Sequence, residues 1–314
     1  MKKFARIIGT GSYLPPKVVT NHDLEKMLDT NDEWIVARTG ISERRIVEEE
    51  GTCDLALEAS IKALEMANID ASELDLIILA TTTPDKIFPA TATMLQNRLG
   101  AKCPAFDMQA VCAGFIFAMT TAQQYIENGS AKKVLVVGSE TMSKIVDWSD
   151  RSSAILFGDG AGAVVLSSDD ETGILHSNIY SDGQYVSSLH VSNTRINEIG
   201  FIQMAGNEVF KIAVTRLSNS AKTTLRESNM TVDDLTWMVP HQANIRIITA
   251  VAKKINLPME KVIITLSKHG NTSAASIPLA LDVAVRDGRI NKGDKLIFEG
   301  IGGGFSWGSL LVEF

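Results

Sequence analysis

The chain has 314 residues, 45% of them hydrophobic, enough for one large domain or two ordinary ones around a substantial core. Its 30 basic and 37 acidic residues give a net charge of −7, which argues against a nucleic-acid binder. No apolar run is long enough to span a bilayer, and the first residues lack the apolar segment of a signal peptide. The three cysteines, Cys53, Cys103 and Cys112, cannot all pair and lack ligand spacing for zinc, so the expected setting is a reducing cytoplasm with free thiols.

The N-terminus runs directly into a strand. Leu74–Thr81 (LDLIILAT) is a continuous apolar run suited to a strand buried on both faces. Ala92–Leu99 reads as a helix and Ala105–Val111 as a strand. Cys112 follows at the turn, and a helix over Ala113–Asn128 is stopped by Gly129. Lys133–Gly138 (KVLVVG) is again a buried strand, and GDGAGAVVL closes the set at Gly158–Leu166. Alternation of this kind predicts α/β layers around largely parallel sheets.

The second half repeats the pattern. Leu235–Pro240 echoes the first buried strand, and Asn244–Ile255 reads as a helix. Val262–Leu266 echoes the strand before Cys112, and Ser273–Arg286 echoes the helix after it. Asp294–Phe298 echoes KVLVV, and GGGFSWGSLLVEF ends the chain from Gly302. Cys112 lies 17 residues before Gly129, and Asn271 lies 17 before Gly288. The two residues therefore occupy matching strand-to-helix turns, which fused repeats would bring to one shared site.

A thiol at a helix start faces unpaired backbone N–H groups that lower its pKa and flank it with an oxyanion site. The same placement also fits a buried core cysteine. His241, in Pro240-His-Gln-Ala-Asn244, sits just beyond a strand's end, where α/β sites gather, and equally suits a structural role. Asn271 in His269-Gly-Asn271 is a turn or helix-cap residue by default. Glycines 302–304 permit close backbone approach. They lack the spacing of a nucleotide loop, and GDGAG precedes a strand where a dinucleotide loop needs a helix.

Several strings in fixed order carry more than any one of them: IIGTGSYLP at 7–15, NDEWIVARTGI at 31–41, CAGF at 112–115, FGDGAGA at 157–163, AGNEVFK at 205–211, PHQAN at 240–244 and HGNTSAAS at 269–276. Over its whole length the chain resembles the β-ketoacyl-acyl-carrier-protein synthase III family of thiolase-fold condensing enzymes. The resemblance implies a five-layered αβαβα fold from two halves, 1–170 carrying the nucleophile and 171–314 carrying the histidine and asparagine. Cys112, His241 and Asn271 match the catalytic triad. The Cys112 and Gly303 N–H groups match the oxyanion hole. The implied reaction joins acetyl-coenzyme A, or another short acyl-coenzyme A, to malonyl-acyl-carrier protein without a metal or redox cofactor.

Further positions follow from the same resemblance. Thr30, Trp34, Arg38, Arg151 and Asn244 match coenzyme A contacts, with the adenine between Trp34 and Arg151. Phe88, Leu156, Phe157, Leu189, Met204 and Ile301 match the acyl pocket. Phe88 is expected to reach across a homodimer interface, and Ile301 stands where close relatives carry Phe. Gln242, Arg246, Lys253 and Lys254 match the surface that meets the acidic carrier protein. A related ketosynthase of secondary metabolism, a Cys-His-Asn thioester hydrolase and a non-catalytic carrier-protein binder are the alternatives. No nucleic-acid or membrane partner is expected.

Overall fold

The computed structural model describes residues 3–195 and 198–314. Two central sheets follow one plan. The first runs Phe4–Tyr13, Asp159–Asp169, Lys133–Thr141, Leu76–Ala80, Ala105–Met108; the second runs Ile174–Ser181, Ser306–Glu313, Lys295–Gly302, Trp237–Pro240. Pairing along each is antiparallel, antiparallel, then parallel. Leu76–Ala80 is buried throughout, as an apolar run covered on both faces must be.

Helices fill three layers around these sheets. Thr52–Ala67 and Thr91–Leu99 cover the outside of the first sheet, and Gly206–Glu227 with Ile245–Ile255 cover the outside of the second. Between the sheets lie the inner helices Gly114–Glu127 and Ser276–Arg286. The fold is thus the five-layered αβαβα arrangement. Phe115, Phe298 and their aliphatic neighbours pack between the sheets, where truncating either ring costs about 3–5 kcal/mol. A polar clamp joins the halves. Thr10 and Ser12 of the first sheet donate to the buried Asp282 carboxylate (2.7 and 2.5 Å), which also takes the Arg286 guanidinium.

Both inner helices end as the sequence predicts, at Gly129 (φ +80°) and Gly288 (φ +82°). Their starts differ from expectation. The strand Ala105–Met108 stops short of Val111, and 3-10 turns Val111–Ala113 and Ser273–Ala275 precede the helices. The expected strand Val262–Leu266 does not form. It keeps one parallel bridge, Met238 with Val262. The buried Gln242 side chain takes over the pairing: its Oε1 accepts the Thr265 and Leu266 N–H groups, and its Nε2 donates to the Pro240 and Ile263 carbonyls. A side chain that serves four backbone groups removes the need for a ladder there.

Candidate active site

Cys112 sits in the 3-10 turn ahead of the first inner helix and is buried. The turn is pressed against the glycine run: a Cβ on Gly302 would lie 2.6 Å from the Cys112 nitrogen, so only glycine fits. The expectation that the helix start would lower the thiol's pKa is not met. Burial pushes it up to about 12; the Ser273 hydroxyl and the cysteine's own N–H oppose that rise, while the Glu140 carboxylate adds to it. The resting sulfur is therefore a thiol.

His241 follows the last residue of Trp237–Pro240, its N–H bonded to the Glu299 carbonyl (2.7 Å). Burial lowers its pKa to about 3, so the ring is neutral. Its Nδ1 lies 2.6 Å from Ser276 Oγ, and that oxygen accepts the Gln242 N–H at 3.2 Å. Holding the Gln242 N–H on its oxygen, Ser276 still has its O–H to donate to Nδ1, and in that tautomer the ring proton sits on Nε2. Ser276 was not singled out by sequence, although it closes the HGNTSAAS string.

Asn271 is held by the other half. Its N–H donates to the Leu156 carbonyl (2.8 Å), its carbonyl accepts from Gly158 N–H (3.1 Å), and it forms a bridge with Phe157. The fully buried Arg44 props that loop from behind, donating to the Ile155 carbonyl and to Asn21 Oδ1 at 2.9 Å each. Asn271 Oδ1 accepts the Ser273 N–H (2.9 Å), so the amide's NH2 end is the one left for a ligand.

Cys112, His241 and Asn271 all line one cavity of about 680 Å³. Leu156, Phe157, Leu189, Met204, Ile301 and Gly303 line it too, as do Trp34, Arg38, Asn244 and Arg246. Val111, Ile202, Phe210 and Phe305 are among the further apolar residues of its wall, and the sequence did not single them out. Thr30 and Arg151 lie outside the lining. The Arg151 guanidinium instead rests on the Trp34 ring, 4.7 Å from its centroid, and Arg38 lies over the same ring at 5.1 Å. Phe88 is outside as well, 83% exposed beside Ile87 at 88%.

The set of residues expected to meet the carrier protein needs one correction. Gln242 is buried and occupied with the backbone of 240–266, so it presents nothing to a partner. Arg246, Lys253 and Lys254 are exposed on Ile245–Ile255, whose opposite side buries Ile248, Val251, Ala252 and Ile255. Among the described residues no His, Cys, Asp or Glu cluster is placed to hold a metal ion, and no helix is long and apolar enough to cross a membrane.

Two sheets of matching order, with a cysteine, a neutral histidine and an oriented amide meeting in a deep apolar cavity between inner helices and loops, define a thiolase-fold condensing enzyme. Comparison with known proteins narrows this. Residues 106–183 match the family model for 3-oxoacyl-[acyl-carrier-protein] synthase III, and residues 225–314 match that for its C-terminal part. The chain is 70% identical to the β-ketoacyl-[acyl-carrier-protein] synthase III of Vesicomyosocius okutanii over the full length of both chains. It is 54% identical to that of Thioalkalivibrio sulfidiphilus, covering 99% of each. The crystal structure of 3-oxoacyl-[acyl-carrier-protein] synthase III from Aquifex aeolicus superposes with a TM-score of 0.96 at 48% identity, covering 99% of this chain and 100% of that one. The chain belongs to the β-ketoacyl-[acyl-carrier-protein] synthase III family, the acyltransferases that make the first carbon–carbon bond of fatty-acid synthesis.

Proposed function

We propose that Cys112 accepts an acetyl group from acetyl-coenzyme A and that the acetyl is then joined, with loss of carbon dioxide, to malonyl-acyl-carrier protein. The observation that carries this reading is the convergence of Cys112, His241 and Asn271 on one cavity, with Trp34, Arg38 and Arg246 among its lining. In the first half-reaction the Cys112 sulfur attacks the thioester carbonyl and coenzyme A leaves as its thiolate. The N–H groups of Cys112 and Gly303 hold the oxyanion; one such donor is worth roughly 3 kcal/mol of barrier. In the second, the malonyl group loses carbon dioxide and leaves an enolate at its thioester. His241 Nε2–H and the Asn271 NH2 donate to that oxygen, and both are set up to donate by the partners of their other ends. The enolate carbon attacks the acetyl-Cys carbonyl and Cys112 departs. Hydrogen bonds and the departing carbon dioxide supply the driving force, so the reaction calls for no metal or redox group.

Trp34, Arg38, Asn244 and, after leaving the indole, Arg151 take the nucleotide end of coenzyme A; Thr30 lies nearby. The exposed Arg246, Lys253 and Lys254 meet the acidic carrier protein, and opposite charge speeds that encounter. The exposed Ile87–Phe88 pair belongs to a homodimer interface, through which Phe88 caps the partner's acyl pocket. The enzyme works in the cytoplasm. The test is intact-protein mass spectrometry after mixing with acetyl-coenzyme A. An acetyl adduct that disappears when malonyl-acyl-carrier protein is added, with acetoacetyl-acyl-carrier protein formed, supports the reading. An adduct released as free acetate without malonyl would make it a hydrolase.

A further inference from the structure

The cavity holds a thiol that burial keeps protonated, and the triad offers no acceptor for its proton. His241 Nδ1 is taken by Ser276, and when Ser276 donates to it Nε2 carries the hydrogen that the enolate needs. Asn271 carries no exchangeable acid–base group. Behind Cys112 lies a carboxylate that the mechanism so far leaves unused. Glu140 is fully buried near the end of the Lys133–Thr141 strand. One oxygen, Oε2, does all its structural work. It accepts Thr81 Oγ1 (3.1 Å), Thr82 N–H (2.9 Å), Thr83 N–H (3.1 Å) and Thr83 Oγ1 (2.7 Å). The other oxygen, Oε1, is buried and has no hydrogen-bond partner among the described residues. A glutamine could hold the 81–83 loop equally well through its carbonyl, so the loop does not explain why this residue is an acid.

Ser273 stands between the two acids. It is fully buried, its hydroxyl makes no hydrogen bond of ordinary geometry among the described residues, and it eases the ionisation of both Cys112 and Glu140 against their burial. Its position is tightly fixed. The Ser273–Ala275 turn lies against the Glu140 strand, where a Cβ on Gly138 would come within 2.4 Å of the Ala274 carbonyl, and against the Cys112 turn. Ser273 Oγ and Glu140 Oε1 are thus two buried polar atoms without an ordinary hydrogen bond, the first on a turn packed against both the Cys112 turn and the strand that carries the second.

We propose that Ser273 and Glu140 form the route by which Cys112 loses its proton on acylation and recovers it on condensation, an inference that rests on the acyl-transfer reading above. In the first step the thiol proton passes to Ser273 Oγ as the Ser273 hydroxyl proton passes to Glu140 Oε1. The sulfur electron pair forms the bond to the acyl carbon, and the bond to coenzyme A breaks with its pair on the leaving thiolate, which takes a proton from solvent. In the second step Cys112 is expelled as thiolate and takes the proton back from Glu140 through Ser273. The negative charge moves between two neighbouring acids and the buried site never holds both charged.

Glu140→Gln and Ser273→Ala test this, with wild type as reference. Acetylation of Cys112 by acetyl-coenzyme A, followed by quenched-flow mass spectrometry, should slow by about 10²-fold in each, the lower end of the effect of a positioned base, with KM for acetyl-coenzyme A unchanged. The double variant should be no slower than either single one, since both cut one route. Alkylation by iodoacetamide near neutral pH should slow as well. If Glu140 acts only by its charge, removing that charge frees the thiolate, and Glu140→Gln reacts faster; that outcome overturns the proposal. Unchanged acylation in Ser273→Ala overturns it too, and decides the matter if Glu140→Gln fails to fold. Failure of wild type itself to take an acetyl group would sink the acyl-transfer reading instead, and the alkylation rates would still decide the proton route.

Discussion

Cys112 and Asn271 each precede a helix-ending glycine by 17 residues, yet their turns are built differently. Cys112 is two residues ahead of its helix, inside a 3-10 turn clamped by Gly302. Asn271 is five residues ahead of its helix, and the backbone of Leu156–Gly158 from the first half holds it there. The matching strands Leu76–Ala80 and Trp237–Pro240 differ in the same sense. Ala80 ends the first with a methyl group against the start of the inner helix, 3.1 Å from a Cβ on Gly114, whereas His241 follows the second. One half thus presents Cys112 on a backbone turn, and the other fixes His241 through a side chain and Asn271 through backbone groups. Duplication provides the shared cavity, and divergence at the turns divides the labour.

The sharpest way to break that division is at the sulfur. Cys112→Ala should abolish the acyl adduct, a loss of roughly 10⁴-fold or more in the acylation rate, read by intact mass. A residual adduct elsewhere in the cavity would show that the first turn is not the acyl carrier. Asn271→Ala should leave acylation within about threefold and cut condensation with malonyl-acyl-carrier protein by about 10²–10³-fold. Equal slowing of both half-reactions would erase the distinction between the turns.

Packing gives a third comparison. Gly138→Ala drives a methyl to 2.4 Å from the Ala274 carbonyl and should cost about 2–3 kcal/mol in denaturant unfolding. Gly114→Ala meets two methyl groups, of Ala80 at 3.1 Å and Ala274 at 3.4 Å, and gains helix propensity, so it should stay within about 1 kcal/mol of wild type. A reversal of this order would mean that the second turn is the looser one.

The smallest effect is a slope. Among the described residues the buried histidines, His241 and His269, both lie in the second half, and burial lowers them to about 3 and about 4. Unfolded, each titrates near 6.5, so acid protonates the unfolded chain first. Stability present above about pH 6.5 should fall as pH drops toward those lower values, by up to about 1.4 kcal/mol per pH unit for each histidine. Urea midpoints at pH 7 and pH 5 measure it, and hydrogen exchange should place the first opening in the second sheet. A flat profile would contradict the burial of neutral rings.

Apolar runs and helix-stopping glycines made the layers and the inner helices legible, because burial on both faces leaves a continuous pattern. The strings drew attention to Cys112, His241 and Asn271, and these three do line one cavity. Val262–Leu266 misled because the pairing of that segment is decided by Gln242, a side chain whose hydrogen bonds no local pattern encodes. The same bonds withdraw Gln242 from the surface. The thiol's ionisation was misjudged because the helix start is local in sequence and the burial around it is not. Ser276 and Ser273 sat inside a quoted string without a visible role. Glu140 left one trace, an acid two residues beyond the run KVLVVG.

Arg151 on Trp34 has a consequence for recognition at the cavity mouth. In the free chain the indole is already covered by a guanidinium, which also donates to the Asp29 carbonyl at 2.8 Å. A flat ring arriving there competes with an occupant tethered to the same molecule, so stacking trades one contact for another and adds little net affinity. Replacing Arg151 by alanine removes both the competitor and the covering hand, so it should shift association and dissociation rates further than it shifts their ratio.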